Sequence, residues 1–183
     1  MKFIFIVFET GVDMINLNEI ITYGPNGVCR VVGLEEKTFM GVKKQYYILK
    51  PLKNNNNSTY YVPTDNEEVL SKIRKTLSKK EVEALIDSMT DESDYWIANE
   101  NERKEKYNHI ISEGNPAELI KMIKAIYLQK QEREAVGKRL RTSDEHFFKE
   151  AEKLLYGEFQ YVLKLNESEL MNYIFDKIEN KRK

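Results

Sequence analysis

A lone tryptophan followed by a run of polar and cationic residues is the feature of this sequence best suited to chemistry on another molecule. Trp96 sits in Ser93-Asp94-Tyr95-Trp96-Ile97-Ala98, and eight polar residues, Asn99 to Lys106, follow without interruption. An exposed indole stacks on a nucleic-acid base or wedges between two of them. Arg103, Lys104 and Lys106 have the charge and reach to hold flanking phosphates. A plainer reading makes Trp96 an anchor that pins its helix to the core, and the cations a solvated face. Residues for other chemistry are not grouped. His109 and His146 stand far apart with no cluster of His, Cys or Asp around either, which argues against a metal site or a histidine-based triad. The single cysteine, Cys29, has no internal partner and reads as a small apolar strand residue. No GxGxxG, GxxxxGK[ST] or GxSxG occurs. Adjacent carboxylates such as Glu67-Glu68 fall where a helix begins, and the macrodipole accounts for them. The expectation is a protein that is not an enzyme and uses no metal, cofactor or small-molecule substrate.

The charge balance bounds how nucleic acid would be held. The 183 residues carry 29 Lys and Arg against 30 Asp and Glu, a net charge of −1. Bulk attraction to a polyanion is therefore absent, and any DNA contact is local or assisted by a partner. Charge is unevenly spread. Residues 14–77 hold nine basic and six acidic side chains, and residues 78–183 hold 19 and 22. Within the second part, residues 103–141 hold ten basic and five acidic side chains, a local footprint that suits phosphate. No run approaches the ~20 apolar residues of a membrane span. Met1 to Phe8, MKFIFIVF, is stopped by Glu9 without the small-residue site of a secretory leader. Residues 1–13 read either as an extension ahead of a start at Met14 or as an added edge strand. A single thiol suits a reducing cytoplasm.

The elements that must position these residues change character along the chain. From Ile15 to about Asp65 the pattern is β. Ile20 to Tyr23, Val28 to Leu34, Tyr46 to Leu49 and Thr59 to Val62 are strand-like runs, punctuated by Gly24-Pro25-Asn26-Gly27, Gly41, the Asn54–Asn57 loop and Pro63. Four or five short strands in so few residues predict a small barrel of the SH3 or Tudor kind. After Thr64 the pattern turns helical. Ser78-Lys79-Lys80-Glu81 is a capping box. Gly114 is a helix stop, and Asn115-Pro116 opens the next helix. Thr142-Ser143-Asp144-Glu145 and Asn166-Glu167-Ser168-Glu169 cap two more. Trp96 is placed in a helix whose long polar middle resumes apolar character at Tyr107, Ile110 and Ile111. The expected architecture is α+β, a small N-terminal barrel over residues 14–66 followed by an all-α bundle over residues 67–183.

Ile20-Ile21-Thr22-Tyr23-Gly24-Pro25-Asn26-Gly27-Val28 resembles the opening motif of the CarD (CdnL) family of bacterial transcription regulators. Its first domain is shared with the polymerase-binding module of transcription-repair coupling factor. Tyr46 to Leu49, Tyr61-Val62-Pro63, Ile73 to Ser78, Trp96, the Gly114-Asn115-Pro116 junction, Leu140, Ala151 and Leu155-Tyr156-Gly157-Glu158 match the family in order. The resemblance spans roughly residues 14–165. It implies a first domain that binds the RNA polymerase β subunit, with Lys37 and Tyr61 at contact positions. It also implies a helical domain that sets Trp96 at the upstream edge of the melted promoter bubble, with Arg103, Lys104 and Lys106 along the backbone. Tyr61 stands where relatives often have Arg. Asn99 to Glu102 separate Trp96 from Arg103, where relatives have Arg close after the Trp. Glu145 stands where some have a basic residue. The alternative reading is a protein–protein interaction module, a strand-binding barrel with no DNA contact.

Overall fold

Alternating apolar residues build the first unit. The computed structural model describes residues 15–53, 58–90 and 95–181, so the expectation for residues 1–13 lies outside them. β1 (Ile20–Tyr23), β2 (Gly27–Phe39), β3 (Val42–Pro51), β4 (Tyr60–Pro63) and β5 (Ile73–Lys75) form one antiparallel sheet in the order β4-β3-β2-β1-β5. Ile21, Cys29, Val31, Leu49 and Val62 point into one core. Burial pushes the Cys29 thiol up to about 12, which keeps it protonated and inert at neutral pH. The register shifts between Val31 and Gly33, a bulge that bends β2.

The expected closed barrel is replaced by an open sheet, with β4 and β5 at its two edges and unpaired with each other. Pro63 ends β4 because it has no N–H to donate. The short helix α1 (Glu67–Leu70) then spans the gap. Asn66 caps it by accepting from the Val69 amide at 3.2 Å, and Leu70 completes the core where a closing strand pair would have packed. The chain returns as β5 beside β1, so the sheet continues past the expected boundary at residue 66.

α2 (Lys79–Ser88), α3 (Glu100–Glu113), α4 (Pro116–Ala135), α5 (Thr142–Leu163) and α6 (Glu167–Lys181) enclose a second core. Val82, Ile86, Tyr107, Ile123, Ala151 and Phe159 are among its buried residues. The Ser78–Glu81 capping box is present, and Asn115 caps α4 with Pro116 at its start. At the start of α6 the Asn166 amide donates to Glu169 Oε2 at 2.8 Å and the Glu169 amide donates to Asn166 Oδ1 at 3.0 Å. The expected cap of α5 is absent: Arg141 precedes the helix without a capping side-chain bond, and Asp144 turns inward to another partner.

The two units meet through buried polar and backbone contacts. Glu158, on the inner face of α5, is 1% exposed. Its Oε1 accepts from Thr22 Oγ1 on β1 at 2.9 Å, from Arg74 Nη1 on β5 at 2.8 Å and from the Leu77 amide at 2.9 Å. Its Oε2 accepts from Arg74 Nη2 at 2.6 Å. Alongside, Gly114 ends α3 with φ 66° against the first turn of the sheet. A Cβ at Gly114 would lie 2.7 Å from the Gly24 carbonyl oxygen, so only glycine fits both the conformation and the space.

Glu158→Ala is expected to destabilise the folded chain by about 2 kcal/mol, because it strands two donors and the part-buried Arg74 guanidinium at the junction. Urea denaturation measures it. A loss smaller than about 1 kcal/mol would show that the junction does not depend on this carboxylate.

Candidate functional site

Trp96 does not sit in a helix. Residues 95–98 are non-helical backbone leading into α3, whose cap Asn99 accepts from the amides of Asn101 and Glu102 at 2.9 and 3.3 Å. Asparagine competes for backbone donors, and so starts the helix after the indole and not before it. The ring is half-buried and packs against the helical core. It neither stands clear of the bundle nor is sealed within it.

The structure separates the cations that the sequence groups together. Arg103 is 1% exposed. Its Nε and Nη2 donate to the two carboxylate oxygens of Asp144 at 2.9 and 3.1 Å, and Nη1 donates to the Ile97 carbonyl at 2.8 Å. Its guanidinium lies over the Trp96 ring, 4.2 Å from the centroid. No face of this side chain is open to a phosphate. The structure thus commits the Arg103 charge inside the protein, where the sequence reading expected a backbone grip. Lys104 is part-exposed and paired with Glu100 at 2.7 Å; Glu100 also accepts from Arg141. These cations hold the Glu100 carboxyl below its ordinary value, the Lys104 hydrogen bond contributing most. Lys106 is exposed and lines a cleft with Lys72, Arg74 and His109, between the sheet unit and α3.

Tyr95 extends the site on its other side. Lys121 and Lys124 of α4 lie 5.6 and 5.9 Å from its ring centroid. Among the described residues the buried Lys124 ammonium has no hydrogen-bond acceptor, and the ring face offsets part of its desolvation.

Lys37 and Tyr61, read from distant parts of the sequence, are brought together. They project from β2 and β4 on the outer side of the sheet, with the Lys37 ammonium 5.5 Å from the Tyr61 ring centroid. Glu35 holds the same ammonium at 2.7 Å, and this hydrogen bond raises the Lys37 pKa. Tyr61 is 46% exposed, and Leu34 on β2 and Val42 on β3 are also exposed.

Asp144 and Glu158 are buried structural carboxylates whose partners sequence reasoning missed. The signal was their spacing. Each lies seven residues from the buried Ala151, so both fall on the stripe that α5 turns to the core. A carboxylate on such a stripe needs an internal cation, and Arg103 and Arg74 supply the two.

Residues 15–75 match the family model described as CarD-like/TRCF RID domain. The match ends with β5 and covers the whole sheet. No curated protein matches the chain. Among the described residues, no helix is long and apolar enough to cross a membrane.

The single indole reports on its own surroundings. Acrylamide should quench its fluorescence to a degree between that of free tryptophan amide and that of a sealed indole. Quenching equal to the free amide would contradict the half-buried ring.

Proposed function

We propose that this chain, whose residues 15–75 form a CarD-like RNA polymerase-interacting domain, is a non-catalytic regulator of transcription that acts in the cytoplasm on polymerase-bound promoters. The match to the polymerase-interacting domain carries the proposal. In this reading the sheet docks on a lobe of the β subunit through the Lys37–Tyr61 face, and the free edge beside β4 is available to a strand of that lobe. An exposed aromatic backed by a cation is a reasonable anchor for such a contact.

The helical unit then presents Trp96 to promoter DNA at the upstream edge of the melted bubble. Lys104 and Lys106 are the outward cations at this end, and Lys106 shares its cleft with Lys72 and His109. The near-neutral chain has little affinity for DNA by itself. Tethering to polymerase supplies it at high effective concentration. A ring that binds the opened junction better than the closed duplex stabilises the open complex by that difference.

The second reading, an interaction module without DNA contact, is favoured by one observation: the cation nearest the indole, Arg103, is committed to Asp144. The two readings part on one experiment. With polymerase holoenzyme on a promoter fragment, Trp96→Ala should shorten the open-complex lifetime roughly tenfold, the scale of one lost base–aromatic stack, while polymerase binding is retained. An unchanged lifetime would leave the interaction module. Tyr61→Ala should weaken capture of polymerase by roughly tenfold, as truncation of an aromatic anchor does; undiminished capture would move the docking face elsewhere.

A further inference from the structure

We infer that Arg103 and Asp144 are positioning residues for Trp96: their buried ion pair fixes which part of the indole the protein offers to its target. This rests on the reading of Trp96 as the DNA-facing group and adds what holds it there. The backbone at residues 95–98 is non-helical, so no helical hydrogen bond sets the direction of the ring. Arg103 takes over that task. A guanidinium is planar, donates from its edges and stacks with its faces. Here one edge grips both oxygens of Asp144, another reaches the carbonyl oxygen of Ile97, the residue after the tryptophan, and the face covers the indole at 4.2 Å. One side chain thus ties the ring, its backbone and α5 together.

The residue before the indole is fixed separately. Tyr95 meets Lys121 and Lys124 of α4. The indole is thereby referenced to α5 through Arg103 and to α4 through its neighbour. α5 also carries Glu158, which binds Thr22 and Arg74 of the sheet. The angle of the ring is consequently set in the frame of the polymerase-interacting domain. With Arg103 and Asp144 each 1% exposed, the pair acts through Trp96 and not by touching DNA.

Three variants of the full-length chain test this, with two readouts: acrylamide quenching of Trp96, and open-complex lifetime with polymerase holoenzyme, polymerase affinity being measured in parallel. Arg103→Lys keeps a cation against Asp144 but cannot also cover the ring and hold the Ile97 carbonyl. Asp144→Asn removes the charge that orients the guanidinium. Both should raise the quenching constant and shorten the lifetime by a factor approaching the roughly tenfold loss in Trp96→Ala, with polymerase affinity unchanged. A merely structural role predicts instead lower melting temperature with an unaltered lifetime. Unchanged quenching and lifetime in folded Arg103→Lys and Asp144→Asn would overturn the proposal. If Asp144→Asn does not fold, Arg103→Lys decides. If Trp96→Ala itself leaves the lifetime unaltered, the DNA reading fails, and quenching alone supports or overturns the positioning role.

Discussion

A carboxylate cannot be left bare in a protein interior, and the junction of this molecule is built around that constraint. Glu158 lies on the inner stripe of α5, and its two oxygens take their donors from β1, from β5 and from the backbone leading into α2. Removing water from an ionised carboxyl costs several kcal/mol, recovered only when donors approach at hydrogen-bond distance in suitable directions. The sheet can therefore sit against the helices in very few ways. Gly114 adds a steric condition to the electrostatic one, since its Cα packs directly on the Gly24 backbone.

Asp144 repeats the device fourteen residues earlier on the same face of the same helix, about 21 Å away along its axis. One buried carboxylate holds the sheet, and the other holds the segment bearing Trp96. Neither pair is an efficient source of stability, because apolar residues of similar volume would do comparably. What a buried pair imposes is geometry, since a misplaced partner leaves an unpaired charge, whereas a misplaced leucine finds another contact. α5 in this sense is a strut with a polar fastening near each end, and the fourteen-residue spacing of Asp144 and Glu158 separates the sheet's fastening from that of the indole segment.

How much of this was readable in the sequence depended on the range of the interaction. Local signals were reliable. The Ser78–Glu81 box, the Gly114 stop, the Asn115-Pro116 start and the Asn166–Glu169 box each involve groups within a few residues of one another, and each formed as the pattern predicts. Signals resolved by long-range competition were not. Asp144 reads as part of a helix cap, but Arg103, 41 residues before it, takes its carboxylate. Arg103 reads as a phosphate grip by charge alone, and nothing in its neighbours reveals a partner on another helix. β5 is three residues long and becomes a strand because β1 offers an unpaired edge. A barrel was expected from strand count, whereas closure depends on which edges meet, and α1 lies between them. Lys37 and Tyr61 were each singled out only by the family resemblance, and their proximity, which arises across the sheet, is seen only in the structure.

The burial of Arg103 also bears on how a chain of net charge −1 would work at a promoter. Had Arg103 faced outward, α3 would have presented three cations beside the indole, a larger footprint for phosphate. With Arg103 enclosed and Lys104 partly neutralised by Glu100, the local field is modest. In the proposed reading, non-specific binding is correspondingly weak, and bulk DNA would not titrate the chain away from polymerase. What remains is an aromatic surface held at a set angle, whose stacking is short-ranged and needs an unstacked base to meet. Such a surface discriminates between closed and opened DNA far better than it binds either, and discrimination, not affinity, shifts an equilibrium. The sheet then has a physical reason to exist. Under the proposal, only a tether to the machine that opens the duplex would bring so weak a contact to the one place where its preference matters.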